Sequence, residues 1–367
     1  MKFHLSPEQE ALQDTIQRTI ARICPPQRRR DLIEANVDDD PAIWSALMDA
    51  GLGGLLIPEE YGGTDLGLEA AALALEVVGR NATPGPYLGH LLAGWAIAQS
   101  PDADLKGKWL PKLATGEAVG ALALDGWTPQ AWRLAAEGGT LSGEVSLVPG
   151  AGQAEVMVVG TRTGLALVQG PFEAVAVDGA DRTRRLWTVS FAGVKAQAIG
   201  PNRMDRQLGD AGQSVAAPED IGQRLVDAGL VLMAADALGG AEQMLDMSVD
   251  YAKQREQFGG VIGRFQALKH QLANMALEVE PARALVWYAA YAWDLKLPDA
   301  SRVAAHAKAH LCDRFVSVAR AAIQAHGGIG YTWDYDLQIW FKRSLYDRAF
   351  LGAPSLHRER AAALAGW

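Results

Sequence analysis

Hydrophobic positions recur along the chain at two different spacings. Across residues 6–115, and again from residue 221 to the end, apolar side chains return every three or four positions, as they do on one face of an α-helix. Across residues 116–217 they come instead in short β-prone runs that Gly, Pro and Asp separate. The pattern therefore predicts an α+β protein that is mainly helical, with a β region between two helical regions.

The same pattern predicts three domains. We expect an N-terminal helical domain over residues 1–115, a middle antiparallel β domain over 116–217 and a C-terminal four-helix bundle over 218–367. The predicted strands cover residues 120–124, 144–148, 155–159, 164–168, 174–177 and 186–191.

Composition narrows the classes of function. A chain of 367 residues with 49% hydrophobic residues can bury a large core, and a net charge of -9 argues against a nucleic-acid-binding protein. Charged residues or glycines interrupt the long apolar stretches, and the first 22 residues indicate an amphipathic helix rather than a signal peptide. Cys24 and Cys312 lack the spacing of a metal site or a disulfide framework. We therefore expect a cytoplasmic protein with no membrane insertion and no bound metal.

The common nucleotide-binding signatures are missing. The segment Gly51-Leu52-Gly53-Gly54 lacks the third glycine of a dinucleotide fingerprint and follows a predicted helix, and the chain has no G-K-S/T sequence of the Walker type. A nucleotide cofactor, if one binds, must be held by residues outside these two motifs.

Three segments carry a resemblance to a known family. Residues 251–259 (YAKQREQFG) and 262–270 (IGRFQALKH) contain an R-x-x-F-G and F-Q pair, residues 324–330 (QAHGGIG) form a Q-x-x-G-G-x-G turn, and residues 58–63 read PEEYGG. In these motifs and in its helix, sheet, helix order the chain closely resembles the acyl-CoA dehydrogenase family. Within it, the chain resembles the branch that acts on steroid or cyclic acyl-CoAs, with a degenerate middle domain.

The resemblance implies FAD as cofactor, shared between subunits. In the family the arginine of R-x-x-F-G reaches the FAD diphosphate of a neighbouring subunit, a charge-assisted contact that Arg255 would make here. The glycine turn would let backbone approach the same nucleotide closely. The residues implied in cofactor binding are Arg255, Phe258, Gln266, Gln324, His326, Gly327, Gly328, Ala353 and Ser355. Taken singly, each also has a structural explanation, such as a solvated charge, a core side chain or a helix stop.

The proton acceptor is harder to place. The family oxidises an acyl-CoA thioester at its α,β positions: a carboxylate removes the α-proton and a hydride leaves to the flavin. The usual glutamate position corresponds to Leu351, and a second family position lies near Gly229, so neither offers a carboxylate. Asp236 lies two helical turns beyond Gly229 in an apolar helix and is our candidate base. The alternative is an acid paired with a neighbouring Arg or Lys.

The middle domain departs further from the family. Residues 121–128 stand where the family has its flavin-contacting L-T-E-P-x-G-S stretch, and the W-I-T-N sequence expected of a later strand is also missing. Three functions stay open: a dehydrogenase subunit that uses Asp236 or a partner's residue as base, a non-catalytic subunit that completes a paralogue's FAD site, and a flavin oxidase or monooxygenase. The resemblance implies an acyl-CoA substrate, electron-transfer flavoprotein as electron acceptor, and a homotetramer, a homodimer or a heterotetramer with a paralogous subunit.

Overall fold

The computed structural model of the chain describes residues 4–37, 40–200 and 220–367. Helices come first, a sheet follows and helices return, so the predicted α+β order is confirmed. The predicted end of the β domain, near residue 217, lies outside the described residues. None of the helices in the described ranges is both long enough and apolar enough to cross a membrane.

The N-terminal part of the chain is helical, and the side chains of Ser6, Asp40 and Asp102 cap three of its helix starts. Asp40 accepts a hydrogen bond from the backbone N–H of Ala42 (2.9 Å), and Asp102 accepts one from Leu105 (3.0 Å). Gly116, with φ of 74°, ends the last of these helices. The helices are α1 (Pro7–Ile23), α2 (Pro26–Ala35), α3 (Pro41–Asp49), α4 (Gly67–Arg80), α5 (Tyr87–Ala98) and α6 (Ala103–Thr115).

A 7-stranded sheet follows in the order β1-β4-β5-β7-β3-β2, with β6 paired to β7. Its core is built by alternate inward-facing residues such as Leu141, Val145, Val189 and Phe191. The strands are β1 (Gly120–Ala123), β2 (Ala135–Glu137), β3 (Thr140–Pro149), β4 (Val156–Thr161), β5 (Gly164–Gln169), β6 (Glu173–Val177) and β7 (Leu186–Ile199).

One pairing differs from the expected antiparallel arrangement. β1 pairs with β4 in parallel, in the register Gly120 with Val156, whereas the other strand pairs are antiparallel. The physical reason is connectivity: β2 and β3 intervene in the chain, so β1 reaches β4 through a long crossover rather than a hairpin.

The C-terminal helical domain is confirmed and is built from three long and two short helices in the described residues. These are α7 (Ile221–Gln254), α8 (Gln266–Asp294), α9 (Ala300–His326), α10 (Leu337–Ala349) and α11 (Pro354–Leu364).

By its contacts the chain forms two compact units. The first contains the described part of Met1–Gln17 together with Ala72–Thr83 and Leu230–Trp367, and the second contains Arg18–Ala71 and the described part of Pro84–Gly229. The unit boundaries fall inside α1, α4 and α7, so they do not follow chain order. The domain boundaries at 115 and 217 therefore stay a prediction.

Within the first unit, two glycines bring α4 and α7 into backbone contact. A Cβ atom at Gly79 would collide with the backbone of Asp236, and one at Gly239 would collide with the backbone of Glu76. The indole N–H of Trp340, from α10, donates to the carbonyl of Gly79 (3.1 Å) across the same contact. Only glycine permits so close an approach, so α4 and α7 are fixed against each other.

Candidate functional site

A tight hairpin follows α7 and carries two of the predicted cofactor residues. The Ile262 N–H donates to the carbonyl of Arg255 (2.8 Å), and the Gln257 N–H donates to that of Gly260 (2.9 Å). The two residues at the tip, Phe258 and Gly259, have φ of 54° and 81°. Two successive positive φ angles are the geometry of a type I′ turn, which usually selects Asn-Gly or Gly-Gly.

Phe258 is unusual at such a turn. The residue is 85% exposed, and a left-handed conformation disfavours a bulky L-residue by about 1–2 kcal/mol. The ring of Phe265 meets the Phe258 ring edge-on at a centroid distance of 6.0 Å, and the Arg264 guanidinium donates to the carbonyls of Phe258 and Gly259. An exposed aromatic ring that is held in a strained backbone conformation indicates a role outside the chain's own packing.

The glycine turn at the end of α9 leaves open space. Gly330 is explained by packing, since a Cβ there would lie 2.7 Å from the carbonyl oxygen of Ile323, and Gly327 is explained by its φ of 63° and ψ of -142°. Gly328 has neither a positive φ nor an atom within 4 Å of an added Cβ. No contact or strain within the described chain therefore requires a glycine at position 328, and its face is open.

An aromatic stack joins the hairpin to the glycine turn. The rings of Tyr251 and His326 lie 4.3 Å apart at 25°, and the ring of Tyr335 lies 5.0 Å from that of His326. The N–H of Arg255 donates to the carbonyl of Tyr251 (2.8 Å), and His326 directly precedes Gly327. The structure therefore brings the hairpin and the glycine turn together at their bases.

The predicted cofactor residues in this region differ in exposure. Arg255, Gln266 and Gln324 are exposed, and no described residue forms an ion pair with the Arg255 guanidinium. His326 is only 3% exposed, and burial lowers the pKa of its imidazole, while its hydrogen bond to the Ala322 carbonyl opposes this shift. His326 thus lies behind the turn, and direct cofactor contact stays a prediction for the exposed groups.

Two further predicted residues lie elsewhere in the first unit. Ala353 caps α11 and Ser355 is exposed in its first turn. Arg358 of the same helix forms an ion pair with Asp313 of α9 (2.8 Å). Asp313 precedes His326 by 13 residues (326 − 313), about 20 Å along the helix axis at 1.5 Å per residue. The structure therefore does not bring Ala353 and Ser355 to the hairpin.

Asp236, the candidate base, is fully occupied by an ion pair. Its carboxylate is 0% exposed and accepts hydrogen bonds from the Nε (2.9 Å) and Nη2 (2.6 Å) atoms of Arg343 on α10. Protonating it would break a bidentate pair and leave a buried guanidinium uncompensated, which is strongly unfavourable. This arrangement agrees with the alternative, an acid paired with a neighbouring arginine, and gives no support to Asp236 as proton acceptor.

More buried charge surrounds this pair. Lys308 of α9 and Asp347 of α10 are both 0% exposed, and the Lys308 ammonium donates to the Asp347 backbone carbonyl. Cys312 lies beside them, and burial raises the pKa of its thiol to about 12. Two cations and two carboxylates therefore balance inside the helical core, where they hold α7, α9 and α10 in one arrangement.

Leu351, at the position where a glutamate base was expected, lies in a fixed turn. Its φ is 57°, its side chain is 8% exposed, and its carbonyl accepts a hydrogen bond from His357 (2.8 Å). The structure thus places a buried aliphatic group there, and the turn offers no proton acceptor of its own.

A polar cleft of the first unit was not predicted from the sequence. Its cavity of about 410 Å³ lies between α1, α4, α7 and α8. Arg283 bridges Glu76 (2.6 Å) and Glu242, and burial raises the pKa of Glu76 while Arg283 opposes the rise. Glu76, an acid within the apolar part of α4, was the sequence feature that could have indicated this cleft. Among the residues that the structure describes, no group of three or more His, Cys, Asp or Glu side chains is placed to hold a metal ion.

Known proteins share both the sequence and the fold of this chain. The sequence profile of the acyl-CoA dehydrogenase N-terminal domain matches residues 6–117, and that of the C-terminal domain matches residues 223–365. Acyl-CoA dehydrogenase IpdE2 of Mycolicibacterium smegmatis is 31% identical over 352 residues, which cover 95% of this chain and 96% of the relative.

Solved structures agree with these matches. A variant of the steroid ACAD Tcur3481-Tcur3483 is 28% identical and superposes with a TM-score of 0.86 over 98% of each chain. The ChsE4-ChsE5 complex from Mycobacterium tuberculosis, 22% identical, has the same fold, with a TM-score of 0.85 over 100% of this chain and 99% of that one. The chain therefore belongs to the acyl-CoA dehydrogenase family.

Proposed function

We propose that this chain is a subunit of an FAD-dependent acyl-CoA dehydrogenase that lends its hairpin and glycine turn to the FAD of a neighbouring subunit, while the proton acceptor belongs to that neighbour. FAD is the cofactor of this family. The observation that carries the proposal is the open face of Gly328, beside a hairpin whose Arg255 has no ion-pair partner in the described chain.

The chemistry of these residues fits the nucleotide half of FAD. An exposed guanidinium suits a diphosphate, because its planar fork can donate two charge-assisted hydrogen bonds. The exposed ring of Phe258 can stack on a flat heteroaromatic base, and a glycine without neighbours lets backbone N–H groups approach phosphate or ribose oxygens.

The chemistry of the reacting end supports a partner's base. Bound FAD supplies the hydride acceptor, and the remaining requirement is a carboxylate over the substrate α-carbon. Here Asp236 is neutralised by Arg343 and residue 351 is leucine, so neither position provides one. A heteromeric enzyme, in which a paralogous chain carries the base, meets this requirement.

Relatives support the substrate class and the partners. A steroid ACAD at 28% identity favours a bulky, ring-containing acyl-CoA over a straight-chain one. The name Tcur3481-Tcur3483 couples two chains, and the ChsE4-ChsE5 structure is a complex, which supports a hetero-oligomer. An electron-transferring flavoprotein, which the sequence resemblance implies, would reoxidise the flavin.

The test is flavin retention in the complex with a co-expressed paralogue. We expect Arg255→Ala and Gly328→Leu to lower the ratio of flavin to protein, because one removes the diphosphate contact and the other fills the open space. Arg255→Lys should recover only part of the loss, since an ammonium lacks the bidentate fork. Gly107→Ala is the matched control: Gly107 also faces open space but lies inside α6, in the second unit, so flavin content should not change.

The source of the base is tested on the same complex by anaerobic bleaching with ring-containing acyl-CoAs. We expect Asp236→Asn in this chain to leave bleaching per bound flavin unchanged. Bleaching lost in a variant that keeps its flavin would make Asp236 the base. Full flavin retention in Arg255→Ala and Gly328→Leu would refute the shared site.

A further inference from the structure

We infer that Tyr251, His326 and Tyr335 form a positioning stack, which sets the separation of the hairpin and the glycine turn so that both reach one cofactor. This inference rests on the proposed function and assigns to His326 a role different from the cofactor contact predicted from the sequence. The three residues come from three elements: the end of α7, the last residue of α9, and the segment before α10.

His326 is the centre of the stack. Its ring lies nearly parallel to that of Tyr251 (4.3 Å, 25°) and tilted against that of Tyr335 (5.0 Å, 47°), while the two tyrosine rings are 6.2 Å apart. The Nδ1–H of His326 donates to the carbonyl of Ala322 (2.8 Å), one turn earlier in α9, which fixes the plane of the ring. The two wider separations lie in the range of favourable aromatic contacts, and the Tyr251 and His326 rings are in closer, nearly parallel contact.

Each residue of the stack connects through its own backbone to the proposed cofactor site. The Tyr251 carbonyl accepts the Arg255 N–H, so Tyr251 fixes the start of the hairpin. His326 is bonded covalently to Gly327. The N–H of Tyr335 donates to the Thr332 carbonyl (3.4 Å), and the Thr332 hydroxyl donates to that of Ile329 (2.9 Å), which closes the far side of the turn.

The stack is suited to positioning because its central ring, His326, is buried between the half-buried rings of Tyr251 and Tyr335. His326 is 3% exposed, and a charged imidazolium there would lose its hydration. An added Cβ atom at Gly259 of the hairpin tip or at Gly328, by contrast, would meet no other atom within 4 Å. The separation of the hairpin tip from Gly328 is therefore set at the stack, where α7 and α9 end, and changes if the rings separate.

The test compares FAD affinity with stability in the complex with the paralogue. His326→Ala removes two ring contacts, each of which corresponds to roughly a twofold to tenfold change in an equilibrium constant, so we expect about tenfold weaker FAD binding. His326→Phe keeps a ring in the stack and should restore most of the affinity. Tyr335→Leu, at a half-buried position, repeats the test if His326→Ala does not fold.

A readout without cofactor separates positioning from general packing. In the cofactor-free chain, His326→Ala should increase amide hydrogen exchange in residues 255–262 and 327–331 together. The control is Phe315→Leu, at a fully buried ring of the same helix that packs on Gly240. This variant should lower the free energy of unfolding. It should leave amide hydrogen exchange in residues 255–262 and 327–331, and the FAD affinity, unchanged.

The outcomes distinguish this inference from the proposal beneath it. If Arg255→Ala and Gly328→Leu lose FAD while His326→Ala and Tyr335→Leu keep it, the stack has no positioning role and the shared site stands. If His326→Phe binds FAD as weakly as His326→Ala, the ring contact is not what matters and the inference is overturned. If Arg255→Ala and Gly328→Leu both retain FAD, the proposed site itself fails.

Discussion

Replacing Phe258 should change stability and cofactor binding in opposite directions. Phe258 has φ of 54° at the first central position of a type I′ turn, and Asn is the residue that this position favours. The chain already holds Asn36 at φ of 55° at the end of α2. We therefore expect Phe258→Asn to relieve strain in the hairpin.

The magnitude follows from two opposing effects. The left-handed conformation disfavours Phe by about 1–2 kcal/mol, most of which Asn recovers. Phe258 is 85% exposed as a residue, and the edge-on contact of its ring with Phe265, about 0.5–1.5 kcal/mol at most, is the aromatic contact that is lost. The hairpin should therefore gain on the order of 0.5 kcal/mol of local stability. FAD affinity should fall in the complex, because the exposed ring is gone.

Local hydrogen exchange at Gln257, Gly260 and Ile262 measures hairpin opening, since their N–H groups make or close the turn bonds. Phe258→Ala is the control: it removes the ring but keeps most of the backbone strain, so it should lose FAD affinity without slowing exchange. Faster exchange in Phe258→Asn would mean that the ring stabilises the hairpin. Undiminished FAD affinity in both variants would refute the idea that the strain serves the cofactor.

Two further predictions concern buried charge. Asp236→Leu should lower the free energy of unfolding by about 3–5 kcal/mol, because it leaves Arg343 buried and unpaired, and the double variant with Arg343→Met should recover most of the loss. Denaturant unfolding measures both changes. A single variant as stable as the parent chain would contradict the ion-pair role. In the second unit, burial lowers the pKa of His90 to about 4, so the folded state binds fewer protons at this residue than the unfolded state does. The contribution of His90 to the free energy of unfolding is therefore complete above pH 6.5 and should be lost as the pH falls towards 4. The loss is on the order of 3 kcal/mol, measured by urea unfolding at several pH values; an unchanged pH dependence in His90→Phe would contradict it.

The sequence predicted most of the sheet, and local backbone geometry explains the differences. β7 continues to Ile199 although the pattern predicted an end at 191, because Gly193 forms a bulge between the pairs Ala192 with Ser142 and Val194 with Leu141. β2 was missed because Ala135–Glu137 carries no β-branched or aromatic residue. The adjacent Gly138-Gly139, both with positive φ, was the available hairpin signal.

The candidate site likewise has a part that could be recognised in the sequence and a part that could not. The motifs that contain Arg255 and the glycine turn could be recognised because their spacing is visible along the chain, and their role in cofactor binding stays a prediction. The stack of Tyr251 on His326 and the pair of Asp236 with Arg343 join residues far apart in sequence, and no periodicity marks such contacts. For Asp236 the sequence showed only that an acid lies in an apolar helix, which suits both a base and an ion pair; the structure favours the ion pair.

The close glycine contacts between α4 and α7 hold α7 in one position relative to α4. With no side chain between the backbones at Gly79 and Gly239, α7 cannot roll or slide there without steric collision. Asp236 and Tyr251 lie on this one helix, 15 residues apart (251 − 236), or about 22 Å. Because both residues lie on one helix that is fixed at Gly79 and Gly239, the charged core and the aromatic stack share one backbone reference, and a change that shifts α7 as a whole would move both.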